Sequence, residues 1–287
     1  MQDATGQTQT ITITEAITRV LNESSVGVLA TLVEAAQEEI AVGAKLLLEE
    51  SGARVGSLGH PALDEAVARH ARVFLDSRAE AAVLRVKELT GGLESCGEAR
   101  VLFERIEPEP RLVICGAGHV GAALAQLARF IGYRTTLIDD RADFVTRARF
   151  PDEGVELVVA GNWTEAVRAS VGRGHGVAVA VVTRGHNEDE ECMRAVIAAR
   201  PHYVGLIGSR RRTNIVLDRL REAGAAEEQL RAVRAPIGLD IAAVSPQEVA
   251  LAILAEVVAE RRGGTGLPLS AWRRSSRDEN SDTRSIK

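Results

Sequence analysis

The chain has 287 residues, 45% of them apolar, 26% charged and only 3% aromatic, with 35 Lys and Arg against 40 Asp and Glu for a net charge of -5. That balance excludes a disordered chain, and no run approaches the ~18 consecutive apolar residues that span a bilayer. Met1 to Thr10 carries neither a basic nor an apolar signal segment, so a cytoplasmic protein with no membrane partner is expected.

The acidic balance also argues against nucleic-acid binding, since phosphate contacts need clustered cations and the nine aromatics leave little for bases to stack on. Cys96, Cys115 and Cys192 lie too far apart to form a CxxC metal clip or a disulfide framework.

In chain order, the Gln- and Thr-rich first ~14 residues are expected to fray. Val26 to Val33 and Lys45 to Leu48 read as short buried strands, and Pro61 to Leu75 as a helix opening with proline. Ala82 to Val86 and Ala99 to Ile106 read as further strands, which makes residues 15–107 a smaller α+β domain. At Glu107-Pro108-Glu109-Pro110 two prolines stop helix propagation and push their neighbours to extended geometry, marking a domain boundary.

Beyond it, Val- and Ile-rich runs alternate with helical periods. Arg111 to Cys115, Arg134 to Asp139, Glu156 to Ala160, Val177 to Thr183 and Tyr203 to Gly208 are the strand candidates. This alternation predicts an α/β fold over residues 108–262: a Rossmann-like parallel sheet with helices on both faces. A last helix opens at Ser245-Pro246-Gln247-Glu248, a capping box with proline in the first turn. Residues 263–287 are polar and aperiodic and are expected to be a disordered tail.

The strongest local signal is Gly116-Ala117-Gly118-His119-Val120-Gly121, which follows an apolar strand and opens a helix expected over Ala122 to Ile131. Gly116 permits the tight turn, Gly118 lets backbone approach a pyrophosphate, and Gly121 lets helix and strand pack closely. The helix N-terminus favours the anion. The second strand ends at Asp139-Asp140, ~20 residues on, where an acid bonds a ribose hydroxyl; Arg141 next to it would suit a 2′-phosphate, leaving NAD and NADP both open.

Gly208-Ser209-Arg210-Arg211-Arg212 stands at another strand-to-helix junction. Cations there oppose the helix dipole, so the trio asks for a phosphate-like ligand or for acids such as Asp240. Thr183-Arg184-Gly185-His186 closes a third strand, and in a parallel sheet all such ends share the ligand-binding edge with Asn162 and Trp163. Cys115 in a strand and Cys192 on a helix read as small core residues. Cys96, in Ser95-Cys96-Gly97 between two strands, is placed to present its thiol, though no neighbouring cation lowers its pKa.

Taken together, Cys115 to Gly121, Thr183 to His186, Tyr203-Val204-Gly205-Leu206-Ile207-Gly208-Ser209-Arg210 and Pro236-Ile237-Gly238-Leu239-Asp240-Ile241 resemble, in order and spacing, the xanthine dehydrogenase accessory protein family, XdhC/CoxI. The resemblance extends over nearly all of residues 15–262. It implies an XdhC/CoxI domain followed by a Rossmann domain, in proteins that bind molybdenum cofactor and help load its sulfurated form into xanthine dehydrogenase-type or carbon monoxide dehydrogenase-type enzymes. The first domain departs from the pattern: Ala36 to Ile40 replaces the family's Gly-Ser-x-Pro-Arg stretch, and Ala62, after Gly56-Ser57-Leu58-Gly59, falls where a cysteine is usual. Cys96-Gly97 resembles the later Cys-Gly-Gly element, with Glu98 in place of the last glycine.

On that resemblance the chain is expected to be an accessory binding protein with no catalytic residues, more than a catalyst. Gly116, Gly118, His119 and Gly121 would hold the cofactor with Asp139, Asp140, Arg184, His186, Gly208, Ser209, Arg210 and Arg211, and Cys96 would be the molybdenum ligand. The implied partners are a cysteine desulfurase, a second copy of the chain and the large subunit of a molybdoenzyme. Two other readings stand: an NAD- or NADP-dependent oxidoreductase, for which no acid–base pair accompanies the turn, and a nucleotide-binding regulatory or scaffold protein.

Overall fold

A computed structural model of the chain describes residues 11–271 except 24, 36–40, 78, 90–97, 173 and 175. Two compact units, Met1–Glu109 and Pro110–Lys287, divide inside the Pro-Glu run. No helix among the described residues is long and apolar enough to cross a membrane.

The first unit opens with helix α1 (Ile13–Asn22). Composition predicts fraying as far as residue 14, but Thr12 and Glu15 form a reciprocal capping box that satisfies the first-turn amides and starts the helix at Ile13. Strands β1 (Gly27–Glu34), β2 (Lys45–Glu49) and β3 (Arg54–Ser57), helix α2 (Pro61–Asp76), β4 (Ala81–Arg85), the one-turn α3 (Val86–Leu89) and β5 (Arg100–Ile106) follow. The sheet is antiparallel in the order β3-β2-β1-β5-β4.

Because side chains alternate along a strand, β1 sends Val28, Ala30 and Leu32 to one face and Leu29 to the other. The first face packs on Leu63, Val67, Ala71 and Phe74 of α2; Ala16 and Val20 of α1 cover Leu29 and Leu47 on the second. Phe103 of β5 is fully buried, with the Phe74 ring centroid 5.9 Å away and the His70 ring edge-on at 4.9 Å. Burial holds the His70 imidazole below its usual pKa.

The second unit contains β6 (Arg111–Cys115), α4 (His119–Phe130), β7 (Arg134–Asp139), β8 (Val155–Val159), α5 (Trp163–Val171), β9 (Val177–Val181), α6 (His186–Ala199), β10 (Tyr203–Leu206), α7 (Arg210–Glu222), α8 (Glu227–Ala232) and α9 (Pro246–Arg262). Its five strands are all parallel in the order β10-β9-β6-β7-β8. Leu112, Ile114 and Leu137 face α4 and α9 through Leu124 and Ile253. On the other face Val113, Val179 and Val181 meet Trp163, Met193, Val196 and Val216. This is the doubly wound, Rossmann-like arrangement expected.

Strand order reverses between β6 and β9, and the crevice beyond their C-terminal ends is where such sheets bind ligands. Three boundaries differ from expectation there. Helix α4 starts at His119, three residues early, because extended Gly118 serves as its N-cap and leaves Gly121 inside the first turn. β9 and β10 end two residues early, at Val181 and Leu206, so Thr183 and Gly208 lie in the loops that shape the crevice. The capping box at Ser245 and Glu248 forms, with Pro246 in the first turn of α9.

Phe103 anchors the first core, so Phe103→Ala should cost about 3–5 kcal/mol. Urea unfolding of the purified chain, followed by circular dichroism, checks this.

Candidate functional site

The C-terminal ends of the parallel strands place the glycine turn, the acids after β7, the Thr183 loop and the start of α7 on one edge of the second unit. At the turn, Gly116 has φ +114°, and a Cβ there would lie 2.6 Å from the carbonyl oxygen of Val182. A Cβ on Gly121 would lie 1.8 Å from the carbonyl oxygen of Gly116, so glycine is what lets α4 sit down on the end of β6. Gly118 is different. A Cβ there meets nothing within 4 Å, and no side chain caps the first turn of α4, which carries no acid. Its leading amides and the positive end of its dipole therefore face open space suited to an anion.

Asp139 does something other than the ribose contact expected of it. Its carboxylate, 1% exposed, accepts from the Ala117 amide at 2.7 Å, the Arg141 amide at 3.0 Å, and Nε and Nη2 of Arg141 at 2.8 and 2.9 Å. Arg141 is thus spent on Asp139 and stacks 3.5 Å over the Phe144 ring, in place of the free 2′-phosphate contact envisaged. Arg149 approaches the same ring at 4.7 Å and donates to the carbonyls of Phe144 and Ala117. Asp140 pairs with Arg184 at 2.8 Å, and since β6 lies between β7 and β9, this bridge reaches across the end of the strand bearing the glycine turn. Arg184 also lies 3.4 Å from Glu188.

The arginine trio divides. Arg212 turns inward and donates to fully buried Asp189 through Nε at 2.9 Å and Nη2 at 2.5 Å, and Asp189 also accepts from the Thr183 hydroxyl. Its partner is therefore Asp189 and not Asp240, whose Oδ1 accepts from the Ala242 amide. Burial pushes the Asp189 carboxyl up, opposed by Thr183 and Arg212. Ser209 caps α7 through the Arg212 amide, and Gly208 has φ +147°. Arg210 and Arg211 are exposed and have no ion-pair partner among the described residues; His119 and His186, the first residues of α4 and α6, are exposed as well. Asp189 and Arg149 escaped sequence reasoning. Asp189 lies in an acidic stretch, Glu188 to Glu191, that reads as a solvated face, and Arg149 has no motif around it.

Cys115 and Cys192 are buried free thiols in one core, and burial together with the contact to Cys115 pushes the Cys192 thiol up, away from its reactive thiolate form. Cys96 and the Ala36 to Ile40 stretch lie outside the described residues. Among the described residues no group of three or more His, Cys, Asp or Glu could hold a metal ion. In the first unit, Ala62 is exposed in the first turn of α2, and its amide is capped by His60. Asp64 accepts from Ser57 and from the Leu58 amide, closing the Gly56 to Gly59 turn on its own side chains.

Burial alone would raise the Asp139 carboxyl, but its bonds from Arg141 and Ala117 hold it down at about 2. A carboxyl held below its unfolded pKa stabilises the fold in full above that unfolded value and loses the contribution as pH falls through the folded one. The window is thus roughly pH 5 to 2, and the loss about 2 kcal/mol. Urea unfolding across that window should show it, and Asp139→Asn, with no carboxyl to protonate, should lose about 2 kcal/mol less over the same range.

The XdhC Rossmann domain profile matches residues 112–257, and that of the XdhC and CoxI family matches residues 21–87. Similar curated proteins include the uncharacterized protein YqeB of Escherichia coli (strain K12), 30% identical over 78% of this chain and 41% of that protein. A probable xanthine dehydrogenase component of Bacillus subtilis (strain 168) is 29% identical over 56% of this chain and 46% of its own. The molybdenum cofactor insertion chaperone PaoD of Escherichia coli is 29% identical over 54% of this chain and 41% of its own. The chain thus spans less than half the length of each of these curated relatives. A crystal structure of a xanthine dehydrogenase from Bacillus halodurans aligns with 91% of this chain and 99% of that one at 18% identity, with a TM-score of 0.48. Profile matches in both units, the longer covering the whole parallel sheet from β6 into α9, make this chain a member of the XdhC and CoxI family.

Proposed function

We propose that this protein is a molybdenum cofactor-binding accessory factor in the maturation of a xanthine dehydrogenase-type or carbon monoxide dehydrogenase-type molybdoenzyme. The observation that carries the reading is the open cradle at Gly118, where uncapped backbone amides face space that a single methyl group would begin to fill. Molybdopterin ends in a phosphate, and its dinucleotide forms carry a pyrophosphate, so that end of the group fits the donor set. When bound, the cofactor supplies the redox-active molybdenum that the client enzyme needs. The residues that would hold its phosphate are Gly116, Gly118, His119 and Gly121, with exposed Arg210, Arg211 and His186 on the same edge.

The names of two relatives, a molybdenum cofactor insertion chaperone and a probable xanthine dehydrogenase component, support a molybdoenzyme client. The reading includes a cytoplasmic setting, a cysteine desulfurase as sulfur donor, and Cys96 as a soft ligand to molybdenum. The filled acceptors of Asp139 favour it over a nicotinamide-dependent oxidoreductase, whose ribose needs that carboxylate.

Gly118→Ala tests the reading with little risk to the fold, because φ is -66° at Gly118 and the new methyl meets no atom of the chain. Full-length protein purified from a host that makes the cofactor should carry molybdenum and pterin, measured by native mass spectrometry and metal analysis. The variant should retain at least about tenfold less, as one or two lost charge-assisted hydrogen bonds dictate. Wild-type protein free of molybdenum and pterin, or a variant that retains both undiminished, would refute the proposal.

A further inference from the structure

We propose that Arg141 is a specificity-determining residue: it fills the carboxylate that would read a ribose, so the glycine turn selects the phosphate end of its ligand regardless of the sugar. This deepens, and rests on, the anion site proposed above. In a dinucleotide fold the acid after the second strand accepts a hydrogen bond from a ribose hydroxyl. A carboxylate offers about four lone-pair sites. Asp139 has four donors from its own chain: the Ala117 amide, the Arg141 amide, and Nε and Nη2 of Arg141. At 1% exposure it presents no surface to a ligand.

The guanidinium is itself held. It lies 3.5 Å over the Phe144 ring, and Arg149, close to the same ring, returns to the glycine turn by donating to the Ala117 carbonyl. Both the amide and the carbonyl of Ala117 are therefore tied to one clip of Asp139, Arg141, Phe144 and Arg149. The adjacent Asp140 offers no ready substitute, because Arg184 occupies it at 2.8 Å. A neutral hydroxyl brings no charge with which to displace that guanidinium.

The test is calorimetric titration of the full chain with pyrophosphate, ADP and 2′-deoxy-ADP. Wild-type protein should bind pyrophosphate and should bind the two nucleotides within about twofold of each other, since no acceptor reads the 2′-hydroxyl. Arg141→Ala frees Asp139 and should prefer ADP over 2′-deoxy-ADP by about tenfold, the value of one hydrogen bond to a charged acceptor. Should that variant fail to fold, Arg141→Lys, which keeps the charge and loses the fork, should show the same preference at about threefold. A tenfold preference for ADP in the wild type, or a folded variant with no preference, overturns the proposal while leaving the anion site intact. Failure of pyrophosphate to bind the wild type sinks the anion site and this proposal with it.

Discussion

The ligand edge of the second unit is organised by one buried charge. The carboxylate of Asp139, at the end of β7, ties down the amide of Ala117 in the turn after β6 and is in turn neutralised by Arg141. Burying a carboxylate is costly unless its acceptors are filled, and removing one partner of such a pair typically costs about 3–5 kcal/mol. The turn therefore cannot move far without exposing or orphaning that charge. Its shape is set by the neighbouring strand before any ligand arrives, which would preorganise the proposed anion site and lower the entropy lost on binding.

The same logic separates the arginines on this edge into two populations. Arg141 and Arg212 lie with buried acids, Asp139 and Asp189, and serve to hold loops in place. Arg210 and Arg211 remain exposed and without acids at ion-pair distance among the described residues. Arg184 lies between these groups, half exposed and paired with Asp140 at the crevice. A surface ion pair of this kind is worth only about 0.2–1 kcal/mol, so it adds little to the stability of the edge.

Much of this fold is legible in the sequence because it rests on periodicity and on glycine. Five Val- and Ile-rich runs separated by helical periods dictate a parallel sheet, and Gly116, Gly118 and Gly121 mark the turn by what a Cβ would strike or leave open. Helix α1 is hidden by composition: its Thr-rich flank looks frayed, yet Thr12 and Glu15 supply the cap that makes it. The site is legible in its members and not in their pairing. Asp139 and Arg141 sit two residues apart where a dinucleotide fingerprint has its acid, and only side-chain geometry reveals that they fill each other. Asp189 reads as one more acid of a solvated helix until the fold buries it between Thr183 and Arg212.

A general consequence concerns how a dinucleotide fold can keep its anion-binding backbone while losing its nucleoside readout. The glycine turn works through amides and a helix dipole, which no substitution elsewhere removes. The ribose contact works through one carboxylate, which a single arginine two residues downstream can occupy. The two functions are therefore separable. On the proposal made above, a chain in which the turn stays open at Gly118 and the acid is filled would keep an affinity for phosphate without a demand for an adenosine ribose.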